Sequence, residues 1–293
     1  MSRLKKVRTV LLYTLFLNVF VAVAKIFYGY AIGSISMRSD GFHSFFDGTS
    51  NVIGLVGIWV ASQPPDEEHP YGHRKFETLS TIAIAVMIFA TGSEILREAY
   101  LRLSIPHDIK VSGMSFIVMA VTLAVNIGVM IYETRKGREL KSDFLTADAM
   151  HTQSDIYISL SVVISLIAAK AGYPVVDIIA AFVITLFIAK MGFSILKSAA
   201  NVLADAACIN PDDIREVVMN IHGVMDCHGI RTRGNRDFVN VDLHVLVDPD
   251  EKIQEAHAIA HNVEDAIKKG FKSVVDVVIH VEPYKNRVID PGK

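Results

Sequence analysis

The stretch His151-Thr152-Gln153-Ser154-Asp155 sets an imidazole and a carboxylate four residues apart at the start of a long apolar run. His43-Ser44-Phe45-Phe46-Asp47 repeats that spacing at the start of another. On a helix, residues four apart lie one above the other on one face, so each pair is a two-pronged claw. Zinc accepts both ligand types, and two claws on neighbouring helices supply the four ligands of a tetrahedral site. An ionised carboxylate at mid-membrane costs about 2.5 to 3.5 kcal/mol on insertion scales, which makes an intramembrane Asp a functional residue by default. Two neutral imidazoles with two carboxylates are neutralised by one divalent cation. Protons on the same groups replace the metal's charge, because metal binding needs deprotonated ligands. That competition is the physical basis of exchange of metal against protons.

A second concentration of ligands is Asp66-Glu67-Glu68-His69-Pro70-Tyr71-Gly72-His73. The plain reading is a solvated acidic loop with incidental histidines; beside a transport site the metal reading gains weight. Asp66, His69 and His73 are the best candidates there, with Glu68 a possible substitute. A third group is the histidine-rich tail, with His222, His228, His244, His257, His261 and His280, and Glu282 two residues further on. His280 and Glu282 share one strand face. His228, His244, His257, His280 and Glu282 are the expected tail cluster, with His222 and His261 outside it. Lys75 and Asp205 form a candidate charge pair at the membrane edge, which as an ordinary surface pair is worth little.

The elements that must carry these residues follow from composition. The chain has 293 residues, is 51% hydrophobic and has a formal net charge of −2, too apolar for an ordinary soluble protein of its length. Nothing in its charge favours nucleic acid as a partner. Cys208 and Cys227 offer neither a disulfide framework nor a cysteine zinc site. Apolar segments of about 20 residues, long enough to cross a bilayer, occur near 10–32, 41–62, 79–101, 113–133, 147–170 and 174–198, which predicts six transmembrane helices. Gly172-Tyr173-Pro174 forces the last two to be antiparallel. Basic residues concentrate at the N-terminus and in the fourth connection, Arg135, Lys136, Arg138 and Lys141, with Arg74 and Lys75 in the second. This bias puts both termini in the cytosol of a multi-pass protein of the cell membrane.

Other polar residues in the spans are Asn18, Lys25, Asn51, Glu94, Arg97, Glu98 and Asn126. Helical ion pairs, snorkelling and interhelical amide bonds account for them, and none is given a metal role. The membrane unit is expected over 1–205 and a cytosolic metal-binding regulatory domain over 206–293. In the tail, Asn210-Pro211-Asp212-Asp213 is a helix start, Phe238 to Val247 alternates as a strand, 251–269 is an amphipathic helix and Val274 to Val281 a further strand. Helix, strand, strand, helix, strand is a small α+β sandwich with helices on one face of a sheet.

At these residues the chain resembles the cation diffusion facilitator family, of the prokaryotic zinc/iron efflux type. The likeness covers nearly the whole chain: the Gly33-Ser34-Ile35-Ser36 segment after the first span, the acidic His-x-x-x-His loop followed by Lys75 and Glu77, the His-x-x-x-Asp of span five, and the tail run Gly229-Ile230-Arg231-Thr232-Arg233. The resemblance implies a homodimer exchanging Zn²⁺ or a related divalent ion for protons, with a ferredoxin-like, metallochaperone-like cytosolic domain. It places His43, Asp47, His151 and Asp155 on the transport site and Asp66, His69 and His73 on a loop site. The five tail residues fall on dimer-interface metal sites, and Lys75 with Asp205 on a charge interlock at the dimer contact. Many bacterial relatives carry Asp where this chain has His43 and Glu282. Imidazole in place of carboxylate softens the transport site and favours zinc over manganese or magnesium.

The reading is therefore Zn²⁺ efflux by proton antiport through alternating access, with no enzymatic activity. Iron, cadmium, cobalt or manganese as cargo and a non-transporting metal sensor are the alternatives. A membrane metallohydrolase has no His-Glu-x-x-His motif to stand on.

Overall fold

The computed structural model describes residues 3–31, 45, 48–104, 113–170 and 175–284. Among the described residues, six helices belong to the first unit: α1 (Arg3–Ala31), α2 (Thr49–Ala61), α3 (Lys75–Ser104), α4 (Gly113–Glu139), α5 (Asp143–Lys170) and α6 (Val175–Leu203). The described prolines of this part of the chain, at 64, 65 and 70, fall between α2 and α3. This is where residues that lack an amide donor and clash with the preceding turn are tolerated. Three of the helices carry stretches long and apolar enough to cross a membrane, Arg3–Phe27, Lys75–Arg97 and Ile179–Leu203.

Polarity in this unit is arranged for hydrocarbon. On α1, Val7, Val10, Leu11 and Thr14 are buried at helical spacing, while Tyr13, Phe16, Phe20 and Phe27 face outward. On α6, Phe182, Leu186, Phe187 and Phe193 do the same around buried Ile188 and Ile195. A surface so rich in exposed aromatics suits a bilayer, while Thr14, Ser50 and Asn51 are buried among the helices. Asn18 on α1 donates to Asn51 on α2 (3.1 Å), an interhelical amide bond of the kind the sequence predicts.

Two features fix how closely the helices approach. A Cβ on Gly54 of α2 would collide with the ring of fully buried Phe144 on α5, and one on Gly57 with the Ser80 hydroxyl on α3. Small residues here let backbones come together without a side chain between them. The second feature is Arg3, whose guanidinium donates to both Glu77 oxygens (2.7 and 3.0 Å) and to the Leu140 and Lys141 carbonyls (2.7 and 2.8 Å). Ser142 adds a hydroxyl to Glu77 (2.6 Å) and caps α5 by accepting from the Leu145 amide (3.3 Å). Lys141, at φ 50°, turns the chain between α4 and α5. One arginine thus ties the starts of α1 and α3 to the α4–α5 turn.

The second unit, from Ala200 onward, holds α7 (Pro211–Met219), β1 (Asp226–Asn235), β2 (Phe238–Val247), α8 (Ile253–Gly270) and β3 (Val274–Pro283). Asn210 caps α7 by accepting from the Asp212 amide (3.2 Å), with Pro211 in the first turn. The sheet order is β1-β2-β3, β1 antiparallel and β3 parallel to β2. Val239, Val241, Leu243, Val245 and Val247 turn to the helices and pack with Ile214 and Val218 of α7 and Val263 and Ile267 of α8. The alternation along β2 leaves Asn240, Asp242 and His244 on the opposite face.

Candidate metal centres

His151 and Asp155 lie one turn apart on α5 and face a cleft that Asn18 of α1, Ser50 of α2, and Thr122 and Asn126 of α4 also line. His151 is 4% exposed, and among the described residues neither of its ring nitrogens has a hydrogen-bond partner. A buried imidazole with both nitrogens unmatched carries a desolvation cost that a ligand relieves. Ser154, packed beside it, donates to the His151 carbonyl (2.6 Å) and so leaves the ring alone. His43 and Asp47, the expected other half of this site, lie outside the described residues.

A second carboxylate on the same α5 face was not anticipated from the sequence. Asp148, buried one turn before His151, accepts from the Asn51 amide (2.7 Å), which also donates to Thr14 (3.3 Å). Its signal was available in the spacing Asp148-x-x-His151-x-x-x-Asp155, which keeps all three on one helical stripe. Glu133 of α4, buried and facing Asp148, carried no signal, because it sits at the end of an apolar run beside charges of the following turn.

In the loop between α2 and α3, Asp66, His69 and His73 bring their ligand atoms together. The Asp66 carboxylate accepts from the His69 amide (2.6 Å), which holds its pKa below the ordinary carboxylate range. Its oxygens stand 3.4 Å from His69 Nδ1 and 3.3 Å from His73 Nε2. His73 is buried, and its Nδ1 lies 3.2 Å from the Pro64 carbonyl. A proton on Nδ1 directed at that carbonyl leaves the Nε2 lone pair facing the cluster, the usual way an outer partner orients a ligating histidine. Gly72, at φ 80°, makes the turn that returns His73 to Asp66. Glu68 is exposed and not among the gathered groups.

Strand register builds the tail cluster. His228 pairs with His244 across β1 and β2, and His244 with His280 across β2 and β3, so three imidazoles lie in a row with ring centroids 4.9 Å apart. Glu282, two residues beyond His280, reaches back over the row. Its oxygens lie 2.7 Å from His244 Nδ1, 3.2 Å from His228 Nε2 and 3.7 Å from His280 Nε2. Contacts with His244 and then His228 hold the Glu282 pKa below the ordinary carboxylate range. A bulge between His228 and Arg231 re-aims β1. Gly229, at φ 62°, occupies it, where a Cβ would stand 3.1 Å from the His244 ring. Glycine there meets both the backbone requirement and the close approach.

The expected five-member tail cluster divides within one chain. His228, His244 and Glu282 gather, with His280 alongside. His257 instead packs against His261 on α8, ring centroids 4.5 Å apart. The reason is layering: α8 covers the apolar face of the sheet, and the histidine row is on the other. His222 is exposed, outside the row. Lys75 opens α3 in the first unit, and Asp205, at φ 53°, lies in the second.

Residues 11–204 match the family model described as cation efflux transmembrane domain, and residues 209–284 match that of the cation efflux protein, cytoplasmic domain. The chain is 33% identical to an uncharacterized transporter of Methanocaldococcus jannaschii, with 90% of this chain and 94% of that one aligned. It is 28% identical to the manganese efflux system protein MneS of Bacillus subtilis over 91% of this chain and 92% of the relative. It is also 28% identical to the cation-efflux pump FieF of Serratia proteamaculans, with 88% and 87% covered.

Proposed function

The chain belongs to the cation diffusion facilitator family, as a multi-pass membrane transporter that moves divalent metal cations, and on that premise we propose that it exports Zn²⁺ from the cytosol in exchange for protons. The observation that carries this reading is His151, buried on α5 with both ring nitrogens unmatched and Asp155 one turn on at the same polar cleft. With His43 and Asp47 the site has two imidazoles and two carboxylates, a donor set that suits zinc. Opening to the two sides in turn, with protons taking the metal's place, converts proton entry into metal exit.

Asp66, His69 and His73 form a loop metal site on the cytosolic side. His228, His244, His257, His280 and Glu282 form the regulatory tail sites at the interface of a homodimer. Lys75 and Asp205 serve as the charge interlock of the dimer contact. Manganese is the second reading, since MneS is a manganese efflux protein by name. Six spans with both termini in the cytosol of a cell-membrane protein complete the proposal.

The test is uptake into proteoliposomes across a panel of Zn²⁺, Mn²⁺, Fe²⁺, Cd²⁺ and Co²⁺ with internal pH followed. Zinc is expected to move with counterflow of protons, and Asp155→Ala or Asp47→Ala to abolish both fluxes. Full transport by either variant refutes the two-claw site, and manganese flux well above zinc flux moves the cargo to the second reading.

A further inference from the structure

Glu133 is 1% exposed, and among the described residues no well-formed hydrogen bond reaches either of its carboxylate oxygens. Thr14 of α1 and Thr152 of α5 flank it, with hydroxyls also within reach of helix carbonyls, Thr14 of Val10 and Leu11 (3.3 Å each) and Thr152 of Asp148 (3.3 Å). What Glu133 faces is a second buried carboxylate, Asp148 of α5, also 1% exposed. Two ionised carboxylates present only acceptors to each other, and like charges in a buried site do not both ionise. A single proton on Glu133 resolves the arrangement, since its O–H then donates to Asp148.

The surroundings keep Asp148 as the acceptor. Asn51 donates to it at 2.7 Å, Ser50 of α2 lies beside it, and His151 faces it from the next turn of α5. Glu133 itself meets Thr14 from α1 and Asp148 and Thr152 from α5, so Asp148 is the titratable group facing it. We propose that Glu133, facing Asp148 between α1, α4 and α5, is a proton-carrying site of the transport cycle, separate from the metal ligands. This rests on the antiport reading above. A divalent cation held by His151, one turn along α5 from Asp148, favours loss of the Glu133 proton, and departure of the cation favours its return. The opposition of charge couples the two occupancies without a shared ligand.

The test uses the full-length protein in liposomes. Infrared difference spectra between neutral and alkaline pH are expected to show the C=O stretch of a protonated carboxyl that is lost in Glu133→Gln, moved in Asp148→Asn and restored in Glu133→Asp. Glutamine keeps the shape of the protonated side chain and donates to Asp148, so the fold is retained; if it is not, the aspartate variant alone must shift the band. A band identical in all the proteins overturns the proposal. In the same liposomes, at clamped membrane potential and a pH step of about one unit, each coupled proton contributes about tenfold to the limiting accumulation ratio. Glu133→Gln is therefore expected to accumulate about tenfold less zinc than the wild type, and equal accumulation overturns the proposal. Wild-type protein that moves zinc without proton flux instead refutes the antiport reading, and the two failures are told apart because the wild type, not the variant, then departs from expectation.

Discussion

Arg3 shows how much one residue can hold at a helix start. Sequence reading gives it a topological role only, as one of four basic residues ahead of an apolar run. In the fold its side chain is largely covered, 16% exposed, and its partner Glu77 is 3% exposed. Removing one partner of a buried pair leaves the other uncompensated, at a cost of about 3–5 kcal/mol. Arg3→Ala is accordingly expected to lower the unfolding free energy of the detergent-solubilised protein by about 3 kcal/mol. The Ser142 hydroxyl still supports Glu77 and keeps the loss at the lower end. Denaturant unfolding of both proteins measures this, and an unchanged midpoint would show that Glu77 is served without the arginine. That His151 and Asp155 share one helical face was legible from their spacing, and Asp66, His69 and His73 stood out as a dense run of ligand types. Glu133 was not legible, since its meaning comes from Asp148, fifteen positions away on another helix.

At the scale of elements, the approach of α2 to α5 depends on Gly54. Its added methyl would meet the ring of Phe144, which is fully enclosed and has nowhere to move. Overpacking of this kind costs about 1–3 kcal/mol. Gly54→Ala should lower thermal stability by that amount, and Phe144→Leu in the same chain should recover most of it; additive losses in the double variant would contradict the contact. In the tail, the alternation of β2 and the cap at Asn210 made strand and helix readable from local pattern alone. The parallel pairing of β2 with β3 and the bulge at Gly229 were not readable that way, because register is set by the packing of whole strands. Those two features turn scattered histidines into a row, and they also separate His257 from it by a layer.

For the whole molecule, the two metal-bearing units are expected to be separable in function. His228→Ala, His244→Ala and His280→Ala combined should remove zinc-dependent tightening of the dimer in sedimentation experiments. Zinc binding by the membrane unit, counted by equilibrium dialysis, should persist. Loss of membrane-unit binding in that variant would mean that the tail delivers or completes the transport site. Chelation should reproduce the loosened dimer in the wild type and have no effect on the triple variant.

The arginine contact also bears on the order in which the chain is made. Arg3 joins Leu140 across 137 positions and reaches Lys141 one residue further on. The first turn of the first helix therefore stays unfastened until the fifth helix is about to emerge. At about 5–20 residues per second that interval is on the order of ten seconds. Glu77 is synthesised midway through it, and its pairing with Arg3 is sealed by Ser142 only at the end, so closure of the membrane unit is timed by translation of the α4–α5 turn.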